Sequence, residues 1–312
     1  MTVQTALVTG ASSGIGYELA KLFAQDGYNL VLVSRNTDRL HEIASEFKNQ
    51  YGLSEITVVG KDLSLPDAPQ QVYDEVKGQG ITVNVLVNNA GAGEHGMFAT
   101  ETDLGKELSI IQLNATSLVH LTKLFLKDMT DRNDGKILML ASVASVLPNP
   151  LMAVYGATKA FILNFSEALR NELKDTAITV TALMPGATNT DFFQKAGAEG
   201  TIAHQQALKT DAAGVAKDGY EALMKGKDKV VSGMMNKAQV AMSRVMPDSL
   251  ITANVRKMME RPSNGNGHHE SMTKKRVTTG SLVASLLVLG LVGWVYYNRV
   301  RAGETDLRNL FG

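Results

Sequence analysis

The sequence predicts an α/β protein: a doubly wound parallel sheet of about seven strands, with one further helix at the C-terminus that crosses a membrane. Three observations carry this. Short β-branched runs alternate with helical periodicity, a glycine-rich turn joins the first run to the first helix, and residues 277–298 hold no charged side chain.

The runs come first. They are Thr5–Val8, Leu30–Val33, Ile56–Val59, Val83–Val87, Lys136–Leu140, Ile178–Leu183 and, later, Lys229–Ser232. Strands that are apolar nearly throughout, each followed by a helix, belong to a parallel sheet covered on both faces. Right-handed crossovers between them give a Rossmann-type sheet. This domain is expected over residues 1–260.

Beyond it, residues 261–276 lack apolar periodicity and read as a flexible linker. The 22 uncharged residues 277–298 follow. At about 1.5 Å per residue they reach roughly 33 Å as a helix, enough for a hydrocarbon core of about 30 Å. Trp294, Tyr296 and Tyr297 sit at one end, as interfacial aromatics do. A buried core helix is the alternative, but no amphipathic stripe supports it. Residues 299–312 form a short polar tail. The opening Met1–Gln4 lacks the basic and apolar regions of a signal peptide. A single-pass anchor in a lipid bilayer is therefore expected, with the catalytic domain on the cytosolic side.

Composition narrows the function. Lys plus Arg and Asp plus Glu are equal at 31 each, so no basic excess points to nucleic acid. The chain has no cysteine, which excludes thiol catalysis and thiolate metal sites. No histidine spacing suggests a metal site either.

Between the first run and a helix beginning near Ile15 lies Thr9-Gly10-Ala11-Ser12-Ser13-Gly14-Ile15-Gly16. Glycines let the backbone turn tightly against a pyrophosphate, and a helix N-terminus offers free N–H groups and positive dipole. After the second run stands Ser34-Arg35-Asn36, where an acidic residue would favour NAD. No carboxylate repels a 2′-phosphate there, and the Arg35 guanidinium suits it. NADP(H) is preferred, with NAD(H) as the alternative.

At this point a resemblance becomes specific. Thr-Gly-x3-Gly-x-Gly at 9–16 resembles the cofactor motif of the short-chain dehydrogenase/reductase family. So do Asp62-Leu63 after the third run and Asn88-Asn89-Ala90-Gly91 after the fourth. The resemblance implies that Asp62, Leu63, Asn89, Ala90 and Gly91 flank the adenine. It also implies that Pro185, Gly186, Thr188 and Thr190 hold the nicotinamide carboxamide.

Tyr155 and Lys159 open a helical pattern, and their i, i+4 spacing puts phenol and ammonium on one face. Ser142 lies just past the fifth run, at the sheet edge where doubly wound folds bind ligands. Asn114 sits in an earlier helical segment. The resemblance makes Asn114, Ser142, Tyr155 and Lys159 the active-site tetrad. Carbonyl reduction leaves negative charge on oxygen, so Tyr155 would donate a proton and Ser142 would hold the oxyanion. Lys159 would lower the Tyr155 pKa and hold the nicotinamide ribose, with Asn114 holding a relay water.

The substrate walls are expected from Met97, Phe98, Val146, Leu147, Leu151, Met152, Phe192 and Phe193. Their low charge suits a lipophilic ketone, aldehyde or acyl group. Residues 234–259 either cap the pocket or approach a membrane. An NADP(H)-sensing scaffold without turnover is the rival reading. The resemblance also implies a homodimer through the helices bearing Asn114 and Tyr155. Leu118, Leu121, Phe125, Phe161, Phe165 and Leu169 serve that face or the sheet.

Overall fold

The alternation of apolar side chains along each strand decides how the layers assemble. A computed structural model of the protein describes residues 3–262 except Arg244. Its elements run β1 (Thr5–Thr9), α1 (Gly14–Gln25), β2 (Asn29–Ser34), α2 (Thr37–Tyr51), β3 (Ile56–Gly60), α3 (Ala68–Gly78) and β4 (Val85–Asn88). Next come α4 (Leu104–Ile111), a π-helical turn (Gln112–Thr116), α5 (Ser117–Arg132), β5 (Gly135–Leu140) and a 3-10 turn (Val143–Val146). The rest are α6 (Ala153–Glu172), β6 (Ile178–Met184), α7 (Phe192–Lys195), α8 (Ile202–Ala207), α9 (Ala212–Met224), β7 (Lys229–Val231), α10 (Met234–Met242) and α11 (Asp248–Met259).

Successive residues of a strand point to opposite faces. In β1 and β2, Ala6, Val8, Leu30 and Leu32 pack with Leu19 and Phe23 of α1, Phe47 of α2 and Leu223 of α9. Leu7, Val31 and Val33 face the other way, towards Val72 of α3, Phe125 of α5 and Ile162 of α6. Both faces are thus buried, and the strands tolerate no polar alternation. The sheet has the order β3-β2-β1-β4-β5-β6-β7, and every neighbouring pair is parallel. The expected seven-stranded, doubly wound sheet is the one observed. Its order reverses between β1 and β4, and a crevice opens there beyond the strands' C-terminal ends.

The membrane expectation is corrected. Among the described residues no helix is long and apolar enough to cross a membrane, and 277–298 lies outside them. The longest α-helix described, the 20-residue α6, carries Lys159, Glu167, Arg170 and Glu172, charges a hydrocarbon core does not accommodate. The C-terminal transmembrane helix, the bilayer as a partner and the single-pass location with a cytosolic catalytic domain are withdrawn with it. Of the linker and tail, 263–276 and 299–312 also lie outside the described residues.

The six apolar positions assigned to a dimer face or the sheet divide. Leu118, Leu121, Phe125 and Leu169 are buried in the core against the sheet. Phe165 packs on that core, while Phe161 stacks on it at 5.9 Å and stays outside.

Candidate active site

The site is built at the C-terminal ends of β1, β4, β5 and β6. The turn after β1 is held from both sides. Thr9 Oγ1 donates to the Val87 carbonyl and accepts from the backbone N–H groups of Asn89 (2.9 Å) and Ala90 (3.0 Å). Asn89 Nδ2 returns a bond of 2.8 Å to the Thr9 carbonyl. One buried threonine and one asparagine thus lock the glycine turn to the strand across the switch point.

The glycines are required by space. Gly10 and Gly14 hold φ of +65° and +56°, where a side chain is strained. A Cβ on Gly16 would stand 2.3 Å from the Gly10 carbonyl oxygen and 2.4 Å from Asn89 Nδ2. Ser13, the N-cap of α1, makes no side-chain capping bond, and the first turn has no acidic residue. The helix therefore presents open N–H donors and its positive end to the cleft. This cradle fits the pyrophosphate of a dinucleotide.

The cleft has a volume of about 1060 Å³. Gly10, Ser12, Ser13, Gly14, Ile15, Gly16, Arg35, Asp62, Leu63, Asn89, Ala90 and Gly91 line it. So do Ser142, Tyr155, Lys159, Pro185, Gly186, Thr188 and Thr190. Sequence positions from 10 to 190 are brought to one surface.

At the end of β2, Arg35 lines the cleft, is 72% exposed and pairs loosely with Asp62 Oδ2 at 3.8 Å. Burial raises the Asp62 pKa, but two bonds from Ser64 and the nearby Arg35 outweigh it and hold the carboxyl below its usual range. Arg39 and Lys61, which the sequence reading missed, line the same end. They were legible only as a pattern across elements. Arg39 lies in the first turn of α2, four residues after Arg35, and Lys61 follows Gly60, which pairs with Ser34.

At the other end stand the reactive groups. Ser142 closes β5 and caps the 3-10 turn, its Oγ accepting from Ala144 N at 3.1 Å and donating to the Pro185 carbonyl at 3.4 Å. On α6, Tyr155 and Lys159 lie one turn apart, with Lys159 Nζ 5.7 Å from the phenol ring centroid. Lys159 Nζ donates to the Leu140 carbonyl at 2.7 Å. Burial pushes the Tyr155 phenol up to about 12, with the Ser142 hydroxyl pulling against it. Burial pushes the Lys159 ammonium down to about 8. The Ser142 hydroxyl is the neighbour that draws the phenol down here.

Asn114 does not reach the cleft surface. It lies in the π-helical turn, accepts from Ala92 N (2.9 Å) and donates to the Ala92 carbonyl (2.9 Å) and Thr158 Oγ1 (3.0 Å). The amide clamps the loop after β4 to α6. π-turns of this kind accompany functional sites.

Of the expected substrate walls, Leu147, Met152, Phe192 and Phe193 line the cleft. Met97, Phe98 and Val146 point outward instead and are exposed, and Leu151 does not line it. Phe192 lies 5.0 Å from the Tyr155 ring. The undecided region 234–259 forms α10 and α11, and Asn236, Gln239, Val255, Met258 and Met259 line the cleft. It caps the pocket.

Comparison with known proteins agrees with this geometry. A family model described as short chain dehydrogenase matches residues 4–200, and the chain belongs to that family. The very-long-chain 3-oxoacyl-CoA reductase of Rattus norvegicus is 37% identical over 185 residues, 58% of each chain. The 17-beta-hydroxysteroid dehydrogenase type 3 of Rattus norvegicus is 37% identical over 190 residues, 60% of each chain. The matched stretch spans less than two thirds of either relative. A short-chain dehydrogenase from Sphingobium yanoikuyae, solved in complex with NADPH, is 27% identical with a TM-score of 0.68, covering 79% of this chain and 98% of that one.

Proposed function

We propose that residues 1–260 act as an NADP(H)-dependent oxidoreductase that interconverts a carbonyl and an alcohol on a lipophilic substrate. The observation that carries this is one cleft holding the glycine cradle at one end and Ser142, Tyr155 and Lys159 at the other.

The cradle at Gly10–Gly16 and the α1 N-terminus would hold the pyrophosphate. Asp62, Leu63, Asn89, Ala90 and Gly91 would enclose the adenine side, and Pro185, Gly186, Thr188 and Thr190 the nicotinamide side. Arg35, with Arg39 and Lys61 beside it, suits a 2′-phosphate by charge-assisted bonds. Bound NADPH supplies the hydride.

The chain's own residues handle the oxygen. With its pKa pushed up to about 12, Tyr155 keeps its proton at neutral pH and is a donor to the developing alkoxide. The Ser142 hydroxyl offers that oxygen a second hydrogen bond. Lys159 places a cation beside the phenol and has N–H donors for the nicotinamide ribose. Asn114 holds the loop bearing Gly91, where a Cβ would come 3.3 Å from Asn114 Oδ1 and 3.6 Å from Lys159 Nζ. Leu147, Met152, Phe192 and Met258 give the substrate end an apolar wall. Two relatives are named as a reductase of very-long-chain 3-oxoacyl-CoA and a dehydrogenase of 17-beta-hydroxysteroids, which supports a lipophilic substrate.

The test follows NADPH oxidation against long-chain 3-oxoacyl thioesters, a 17-ketosteroid and 2-alkanones. At least one is expected to turn over, and Tyr155→Phe is expected to lose about 10²–10⁴-fold in kcat, the range for a positioned general acid. Undiminished turnover in Tyr155→Phe would remove Tyr155 as proton donor. NADPH binding with no turnover across the panel would favour the sensing scaffold.

A further inference from the structure

His95 has no part in the chemistry described above, yet it joins two walls of the substrate end. It stands in the loop after β4, and its backbone is fixed twice. The His95 N–H donates to the Ala196 carbonyl beyond α7 at 2.9 Å. The next N–H, of Gly96, donates to the carbonyl of Leu151, which holds a left-handed φ of +66° ahead of α6. From that fixed base the imidazole crosses to α11, and Nε2 lies 2.7 Å from the carbonyl oxygen of Met259. A carbonyl only accepts, so Nε2 is the protonated nitrogen and donates. Met259 is the last residue of α11, where carbonyls lack partners within the helix and carry the negative end of the dipole.

The position of this bond gives it consequence. Met258 and Met259 line the cleft, and Met259 packs with Met152, Phe192, Phe193 and Tyr155 in a small apolar cluster. Further along the chain, Ile202 N donates to the Glu260 carbonyl at 3.1 Å and Arg261 Nε to the Glu199 carbonyl at 3.1 Å. Those bonds hold the chain after α11 to the start of α8 and the segment before it. The His95 bond ties the end of the helix itself to the rigid sheet edge. The substrate end thus has a fixed wall on α6 and the β4 loop, and a wall on α11 held to it by the His95 imidazole, by the apolar packing of Met259 and by a weak contact of Arg256 Nη2 with Met97 Sδ at 3.8 Å.

We propose that His95 is a positioning residue that latches α11 over the substrate end of the cleft and thereby tightens binding of bulky apolar substrates. The substrate part of this rests on the oxidoreductase reading; the latch itself does not. Losing the latch lets Met258 and Met259 move away from the substrate, which weakens ground-state contact and leaves the reacting groups and the cofactor cradle in place.

Two readouts on the full chain test it, amide hydrogen exchange across 251–259 and kinetics with benzophenone as a bulky ketone probe. His95→Ala is expected to speed exchange in α11, and to raise KM for benzophenone, each by about two- to tenfold, the factor one ordinary hydrogen bond is worth. It is expected to leave kcat and the KM for NADPH close to their starting values. Glutamine carries an amide nitrogen near the position of Nε2 and asparagine near that of Nδ1. His95→Gln is therefore expected to restore both readouts and His95→Asn to behave like His95→Ala. Unchanged α11 exchange in His95→Ala, or equal behaviour of the Gln and Asn variants, would overturn the latch. An unchanged protein that reduces no ketone would instead count against the oxidoreductase reading, and exchange alone would then decide the latch.

Discussion

Lys159 is a buried amine, and replacing it with methionine should change how stability depends on pH. Methionine keeps an unbranched chain of similar length and removes the charge. Burial lowers the amine from 10.5 to about 8. Between those values the unfolded chain binds more protons than the folded one, so the Lys159 contribution to stability rises with pH and is lost as pH falls towards 8. Tyr155 moves the opposite way, from 10.0 to about 12, and is present in both proteins, so its ionisation in the unfolded chain as pH nears 10 is common to both curves. At 1.36 kcal/mol per pKa unit, the amine should cost the folded protein about 3 kcal/mol at pH 8 and about 1 kcal/mol at pH 10. The assay is urea unfolding of the unliganded protein and of Lys159→Met across pH 8–10. The stability of the unchanged protein relative to the variant should improve by about 2 kcal/mol over that span. Ammonium and neutral amine can both donate to the Leu140 carbonyl, so the loss of that bond mainly offsets the curve. A difference that stays flat, or falls with pH, would refute a depressed Lys159 pKa.

Two other substitutions separate cofactor recognition from scaffold. Arg35→Ala should raise the KM for NADPH more than tenfold while leaving that for NADH nearly unchanged, because charge-assisted bonds are worth roughly 1.5–3 kcal/mol; steady-state kinetics with both cofactors decide it, and equal effects would make Arg35 a surface residue. Thr9→Val strands the N–H groups of Asn89 and Ala90 beside a methyl group, and should destabilise by about 2–5 kcal/mol, whereas Thr9→Ser keeps both bonds and should lose little. Equal unfolding midpoints for the two variants would contradict the locking role of Thr9.

The strands were legible because burial on both faces leaves few polar residues inside them. Each of the seven runs falls within a residue or two of an observed strand. The cradle was legible because Gly10, Gly14 and Gly16 stand where only glycine fits, and Tyr155 and Lys159 because helical spacing alone puts them on one face. What depends on contacts between distant segments was not. Arg39 and Lys61 join Arg35 only through the pairing of β2 with β3 and one turn of α2. Leu118 and Phe161 share the same apolar character, yet one enters the core and the other faces outward. Periodicity says that a face is apolar, and not which neighbour covers it. His95 and Met259 are 164 residues apart, and no local pattern announces their bond. Asn114 was found by resemblance, and its bonds to Ala92 and Thr158, which join the β4 loop to α6, were not readable from the sequence. Hydropathy of 277–298 suggested a membrane span by composition alone, and no helix among the described residues bears it out.

The central claim is that Ser142, Tyr155 and Lys159 reduce a carbonyl with hydride from an NADPH whose pyrophosphate would rest on the Gly10–Gly16 cradle and whose nicotinamide would reach these three residues. It is tested most directly by supplying NADPH carrying deuterium at its transferable position, together with a ketone that the protein turns over, and locating the label by mass spectrometry. The alcohol should carry one deuterium on the carbinol carbon, and Tyr155→Phe should bind NADPH with unchanged affinity yet yield almost no labelled alcohol. Cofactor oxidised without label in the alcohol, or labelled alcohol formed equally well by Tyr155→Phe, would contradict it.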